Sequence, residues 1–137
     1  MTLHEFHARS LASTLTLADA SVRRMERLLT NGGEEGLIRY IQNTLSREEC
    51  AALLHDVHSL RDTLTSLAEA LALQRSALDI RRVLDAELTT LWVLFEDCRP
   101  ARMKGYGQEF SPEDQSRLDE TVNELTAKVD AMKRRLL

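Results

Sequence analysis

The chain has four histidines, and they come as two pairs at i, i+3 spacing: His4/His7 and His55/His58. Two such pairs on neighbouring helices hold the ligand types of a tetrahedral zinc site. Their helical phases argue against convergence. His4 and His7 continue the apolar stripe of the first helix, whereas His55 and His58 fall roughly opposite the stripe from Leu53 to Leu71. No carboxylate stands three residues before any of these histidines, so the Glu-x-x-His pattern of di-iron bundles is missing as well. No metal and no cofactor are expected. Serines and cysteines are present, but without a nucleophile elbow or an adjacent base. The acid pairs Glu34/Glu35 and Glu48/Glu49 are expected at helix starts, where the helix dipole favours them. The stretch Gly32-Gly33-Glu34-Glu35-Gly36 lacks the Lys and Ser/Thr of a phosphate loop, and its acids repel phosphate. Cys50 and Cys98 form no CxxC and read as small buried hydrophobes in a reducing compartment; a disulfide between them is the other reading.

One histidine invites a further reading. The run His58-Ser59-Leu60-Arg61-Asp62-Thr63-Leu64-Thr65-Ser66-Leu67 resembles the phosphoacceptor helix of sensor histidine kinases through His58, Leu60, Arg61, Leu64, Thr65, Ser66 and Leu67. Two positions depart from that family. Ser59 stands where it usually has an acid, and Thr63 replaces its helix-bending proline. The resemblance covers ten of 137 residues, and the chain has no glycine-rich ATP lid. It implies a phosphotransfer bundle in which a solvent-facing His58 passes a phosphoryl group to a partner's aspartate.

The most distinctive loop is Arg99-Pro100-Ala101-Arg102-Met103-Lys104-Gly105-Tyr106-Gly107, with Phe110 close behind. It gathers three cations and no acid inside a chain of net charge −4. Arg99, Arg102, Lys104, Tyr106 and Phe110 are therefore the candidate partner-binding residues, suited to an acidic partner. The competing reading is an ordered connection in which Tyr106 and Phe110 plug a bundle end.

These residues need elements to hold them, and the sequence reads as all-α. Only 4% of the chain is aromatic, and glycines and prolines are few. Leu11, Leu15, Ala18, Val22, Met25 and Leu29 alternate at four and three, which predicts a helix over about 3–29 ended by Asn31-Gly32-Gly33. Leu37, Ile38, Ile41 and Leu45 suggest a short helix over about 34–44. Ser46 and Glu49 form a capping box ahead of the seam Leu53, Val57, Leu60, Leu64, Leu67 and Leu71. A second stripe, Ile80, Leu84, Leu88, Leu91, Phe95 and Cys98, is out of phase with that seam, although no Gly or Pro lies between Gly36 and Pro100. A turn near Gln74–Ser76, with Ser76 as the next cap, restores the phase and gives helices over about 46–74 and 76–98. One unbroken helix, about 80 Å long, is the alternative and would favour an oligomer. Ser111-Pro112-Glu113-Asp114 opens the last helix, about 112–136, whose seam is Leu118, Val122, Leu125, Val129, Met132 and Leu136.

The expected fold is an up-and-down antiparallel bundle of these four long helices and one short one, forming a single domain over residues 1–137. The expected function is a non-catalytic helical protein–protein interaction module, an adaptor or small subunit. It is expected to self-associate as a homo-oligomer, because leucine seams can be shared between chains. Phosphotransfer through His58 is the alternative. No segment is strongly basic, which excludes ordinary nucleic-acid binding. The longest apolar run, Leu91 to Phe95, is five residues, far short of the roughly 20 of a membrane span. His4, Glu5, His7 and Arg9 interrupt any signal-peptide core, so a cytoplasmic location is expected.

Overall fold

The computed structural model describes residues 3–103, 105 and 107–137. Helix α1 spans Glu5–Asn31, α2 Arg47–Ala70, α3 Ile80–Glu96 and α4 Pro112–Arg135. Two two-residue strands, β1 (Gly33–Glu34) and β2 (Ile41–Gln42), lie between α1 and α2, and a 3-10 turn at Pro100–Met103 lies between α3 and α4. The class is all-α, as the periodicity requires. Contacts cluster into two compact units, residues 1–75 and 76–137. In the first, α1 packs antiparallel on α2; in the second, α3 packs antiparallel on α4.

Local chemistry explains the helix ends. His4 caps α1, its Nδ1 accepting the backbone N–H of Phe6 at 3.2 Å. Gly32 ends the helix at φ 69°, donating its N–H to the Leu28 carbonyl. The Ser46/Glu49 capping box forms at the start of α2, with both bonds at 3.1 Å. Ser111 caps α4 through the N–H of Asp114, and Pro112 occupies the first turn. Lys133, Arg134 and Arg135 stand in the last turn of α4, where the dipole favours cations.

Three sequence expectations are corrected. The short helix over 34–44 is a strand hairpin, with Gly33 opposite Gln42 and Glu34 opposite Ile41. A three-turn helix is marginal without packing, and here Leu37 and Ile38 meet nothing, at 100% and 87% exposure. Gly33, at φ 120°, lets the backbones close; a Cβ there would collide with the Ile41 carbonyl. Glu34 consequently sits in a strand rather than at a helix start, and pairs with Arg24 at 3.1 Å.

The second correction concerns the end of α2. The break between α2 and α3 exists, but α2 stops at Ala70 rather than 74. Ala72 takes φ 54°, the Ala72 N–H donates to the Glu69 carbonyl at 3.0 Å, and the Leu73 N–H donates to Ala68 at 3.1 Å. That pair of bonds is a Schellman ending built on alanine, where glycine is usual. Third, α3 starts at Ile80 rather than 76, capped by Asp79, whose Oδ1 accepts the Arg81 N–H at 2.8 Å.

Candidate functional site

Among the described residues the hydrophobic core is thin. Val22, Val57 and Leu71 are the buried hydrophobic residues of the first unit, and Leu88, Val122 and Val129 those of the second. Within each unit the two helices meet along one line, and what lies beside that line decides what the unit can offer.

In the first unit the seam of α2 splits. Val57, Leu64 and Leu71 face α1, whereas Leu53, Leu60 and Leu67 stay 42, 45 and 41% exposed. At the 3.5-residue period of paired helices these two rows lie about 50° apart, and Leu54, Arg61 and Ala68 lie about 50° to the other side. On α1 the same arithmetic puts Leu11, Ala18 and Met25 beside the line Leu15–Val22–Leu29 on one side, with Ala12, Asp19 and Glu26 on the other. Arg61 Nη1 donates to Glu26 Oε2 at 2.9 Å, so the two polar sides share one edge. The two apolar sides consequently share the opposite edge. His58 Nε2 stands on the polar edge, 3.6 Å from Glu26 Oε1 and half exposed.

The second unit repeats this plan. Lys133 Nζ donates to Thr89 Oγ1 at 2.7 Å and lies 3.6 Å from Asp85. Arg99 donates to both Glu96 carboxylate oxygens, at 2.7 and 2.9 Å, and reaches Asp119 at 3.2 Å and Asn123 at 2.8 Å. These contacts close the polar edge. Leu84, Leu91 and Cys98 on α3, with Leu118, Leu125 and Met132 on α4, border the opposite edge. Further round α3, Ile80 and Leu94 are 70 and 53% exposed.

The loop candidates do not act as one group. Arg99 is turned into its own unit, and its four bonds occupy the guanidinium. Glu96 holds the Arg99 guanidinium in its charged form, well above its ordinary pKa, and Arg99 in turn lowers the Glu96 carboxyl. Arg102 is exposed at the end of the 3-10 turn. Phe110 is 39% exposed and helps line a shallow cleft of about 370 Å³ with Pro100, Met103, Gln115 and Asp119. Glu109 lines it too, so carboxylates stand among the cations. Lys104 and Tyr106 lie outside the described residues.

The histidine pairs form no metal cluster; no group of three or more ligating side chains is placed together among the described residues. Cys50 is half-buried and Cys98 exposed, and both are free thiols. No described helix is long and apolar enough to cross a membrane. Sequence reasoning missed Glu26, which joins α1 to both His58 and Arg61. The signal was present: Glu26 follows Asp19 at seven residues, beside the apolar line. No family model matches the chain, and no curated protein or solved structure matches it either.

Proposed function

We propose that the protein is a non-catalytic helical interaction module that binds a protein partner through the apolar edge of its helical hairpins. One observation carries this reading: the polar edges are closed by ion pairs within each unit, while Leu53, Leu60 and Leu67 stand 41–45% exposed along the opposite edge of the first unit. Exposed leucines in a row at seven-residue spacing fit the apolar face of an amphipathic partner helix. Arg102 and Phe110 supply a second contact from the loop. The net charge of −4 favours protein over nucleic acid, and two free cysteines fit a reducing, cytoplasmic setting.

The test replaces Leu53, Leu60 and Leu67 with serine together. Helicity is expected to persist, because Val57, Leu64 and Leu71 still face α1, while capture of any partner bound by the wild-type chain is lost. A wild-type chain that neither self-associates nor captures a partner would reject the reading, as would a triple variant that binds unchanged.

A second reading has one observation of its own. His58 is half exposed, with the Glu26 carboxylate 3.6 Å from Nε2. That carboxylate would take the Nε2 proton as Nδ1 accepts a phosphoryl group from a partner's aspartyl phosphate. An acid-labile label that disappears in His58→Ala supports phosphotransfer; a label retained by that variant eliminates it.

A further inference from the structure

We infer that the apolar edge of the α3–α4 unit is the seat of a homodimer in which α3 of one copy lies antiparallel against α4 of the other, with a two-fold axis running along the helices. The inference rests on the interaction reading above and names the partner for this unit as a second copy of the chain.

Area is the first argument. Seventeen residues of α3 make a helix about 25 Å long, and two helices side by side are about 20 Å wide. Burying that face covers on the order of 500 Å² per copy, about 1,000 Å² in all, above the size of chance contacts and at the weak, reversible end of the scale for interfaces. The face has the content to use it. Ile80, Leu84, Leu91 and Leu94 on α3 and Met132 on α4 are 70, 43, 39, 53 and 53% exposed.

Charge complementarity fixes the arrangement. Within one copy, Lys133 lies beside Asp85 and Thr89, and Arg99 beside Asp119 and Asn123, which sets the antiparallel register of α3 on α4. A two-fold axis along the helices reproduces that register between copies. On α3 one charged residue, Glu87, interrupts the outer apolar row Ile80–Leu94. At the matching outer position of α4 stand Lys128 and Arg135, seven residues apart. The shared register brings Glu87 of each copy opposite the stretch between the partner's Lys128 and the partner's Arg135. Among the described residues neither Glu87 nor Arg135 forms an ion pair, and Lys128 has only a long contact of 3.9 Å to Glu124 on its own helix. The perpendicular two-fold would instead set the Lys128/Arg135 rows of two α4 helices against each other, with nothing to neutralise them.

The experiment is light scattering of the full chain on a sizing column across a concentration series. The wild-type chain is expected to dimerise. Glu87→Arg is expected to weaken the dimer roughly tenfold or more, and Lys128→Glu with Arg135→Glu to do the same, because like charges then meet. Combining all three is expected to restore association close to the wild-type level, which also shows that the single reversals remained folded. A wild-type monomer at every concentration would overturn the dimer, even if the chain still captured another protein through Leu53, Leu60 and Leu67. A dimer indifferent to both reversals, or one not rescued by their combination, would overturn it equally.

Discussion

Thr126 shows how a single residue can run against its surroundings. It is buried on the polar-edge row of α4, seven residues from both Asp119 and Lys133, and its hydroxyl donates back to the Val122 carbonyl at 3.0 Å. That carbonyl belongs to the helix interior and is already bonded, so losing the hydroxyl strands no acceptor. Thr126→Val is expected to raise stability by about 0.5–1 kcal/mol in a denaturant titration; a loss of stability would show that the hydroxyl matters to packing. Arg99 is the opposite case, a charge whose partners are all in place. The lowered Glu96 carboxyl contributes stability that is complete above its ordinary value of 4.5 and is lost as pH falls through its lower folded value. Arg99→Ala is therefore expected to melt a few degrees lower at neutral pH, with the gap to wild type closing as pH falls below 4.5 and through the lowered value of the folded chain. A gap that persists unchanged into acid would place the effect in packing rather than charge.

At the scale of elements, the ending of α2 decides how the chain divides. Ala72 adopts φ 54°, where an L side chain costs about 1–2 kcal/mol relative to the right-handed region. Glycine removes that cost but gives the unfolded chain more freedom, so Ala72→Gly is expected to raise stability by about 0.5–1 kcal/mol. A destabilised variant would mean that the left-handed turn is not formed in solution. The same residue explains why this ending was hard to read from sequence. Helix ends are signalled by Gly, Asn or Pro, and 37–99 contains no glycine or proline. Only the phase change between the Leu53–Leu71 and Ile80–Cys98 stripes showed that a break existed, and phase locates a break to within a turn at best. The β1–β2 hairpin failed for a different reason. Ile38, Tyr40 and Ile41 are compatible with helix or strand, and Gly33 with its positive φ selected the close backbone approach of a hairpin.

Over the whole molecule, the order of chain segments predicts where it opens. Residues 71–79 carry no helix and include Arg75, and the hairpin turn includes Arg39. Limited trypsin digestion is expected to cut first after these two residues and after the exposed Arg102 between α3 and α4, with sites such as Arg23 and Arg117 protected inside helices. Early cuts within α1 or α4 would contradict the helix assignments. The sequence by itself determined the class, helices α1 and α4, the capping of α2 and α4 and the cationic end of α4, because caps, dipoles and a 3.6-residue period act locally; between 46 and 98 it left one helix or two. It did not determine which side of each seam is covered. Val57 and Leu60 are equivalent in a pattern of leucines and valines, yet one is 6% exposed and the other 45%. Only pairing decides that, since a rotation of about 50° costs nothing in periodicity and is chosen by contacts such as Glu26 with Arg61. Arg99 illustrates the same limit in the loop. Its charge was legible, but whether that charge faced outward depended on Asp119 and Asn123, 20 and 24 residues away, which only the folded chain brings to it.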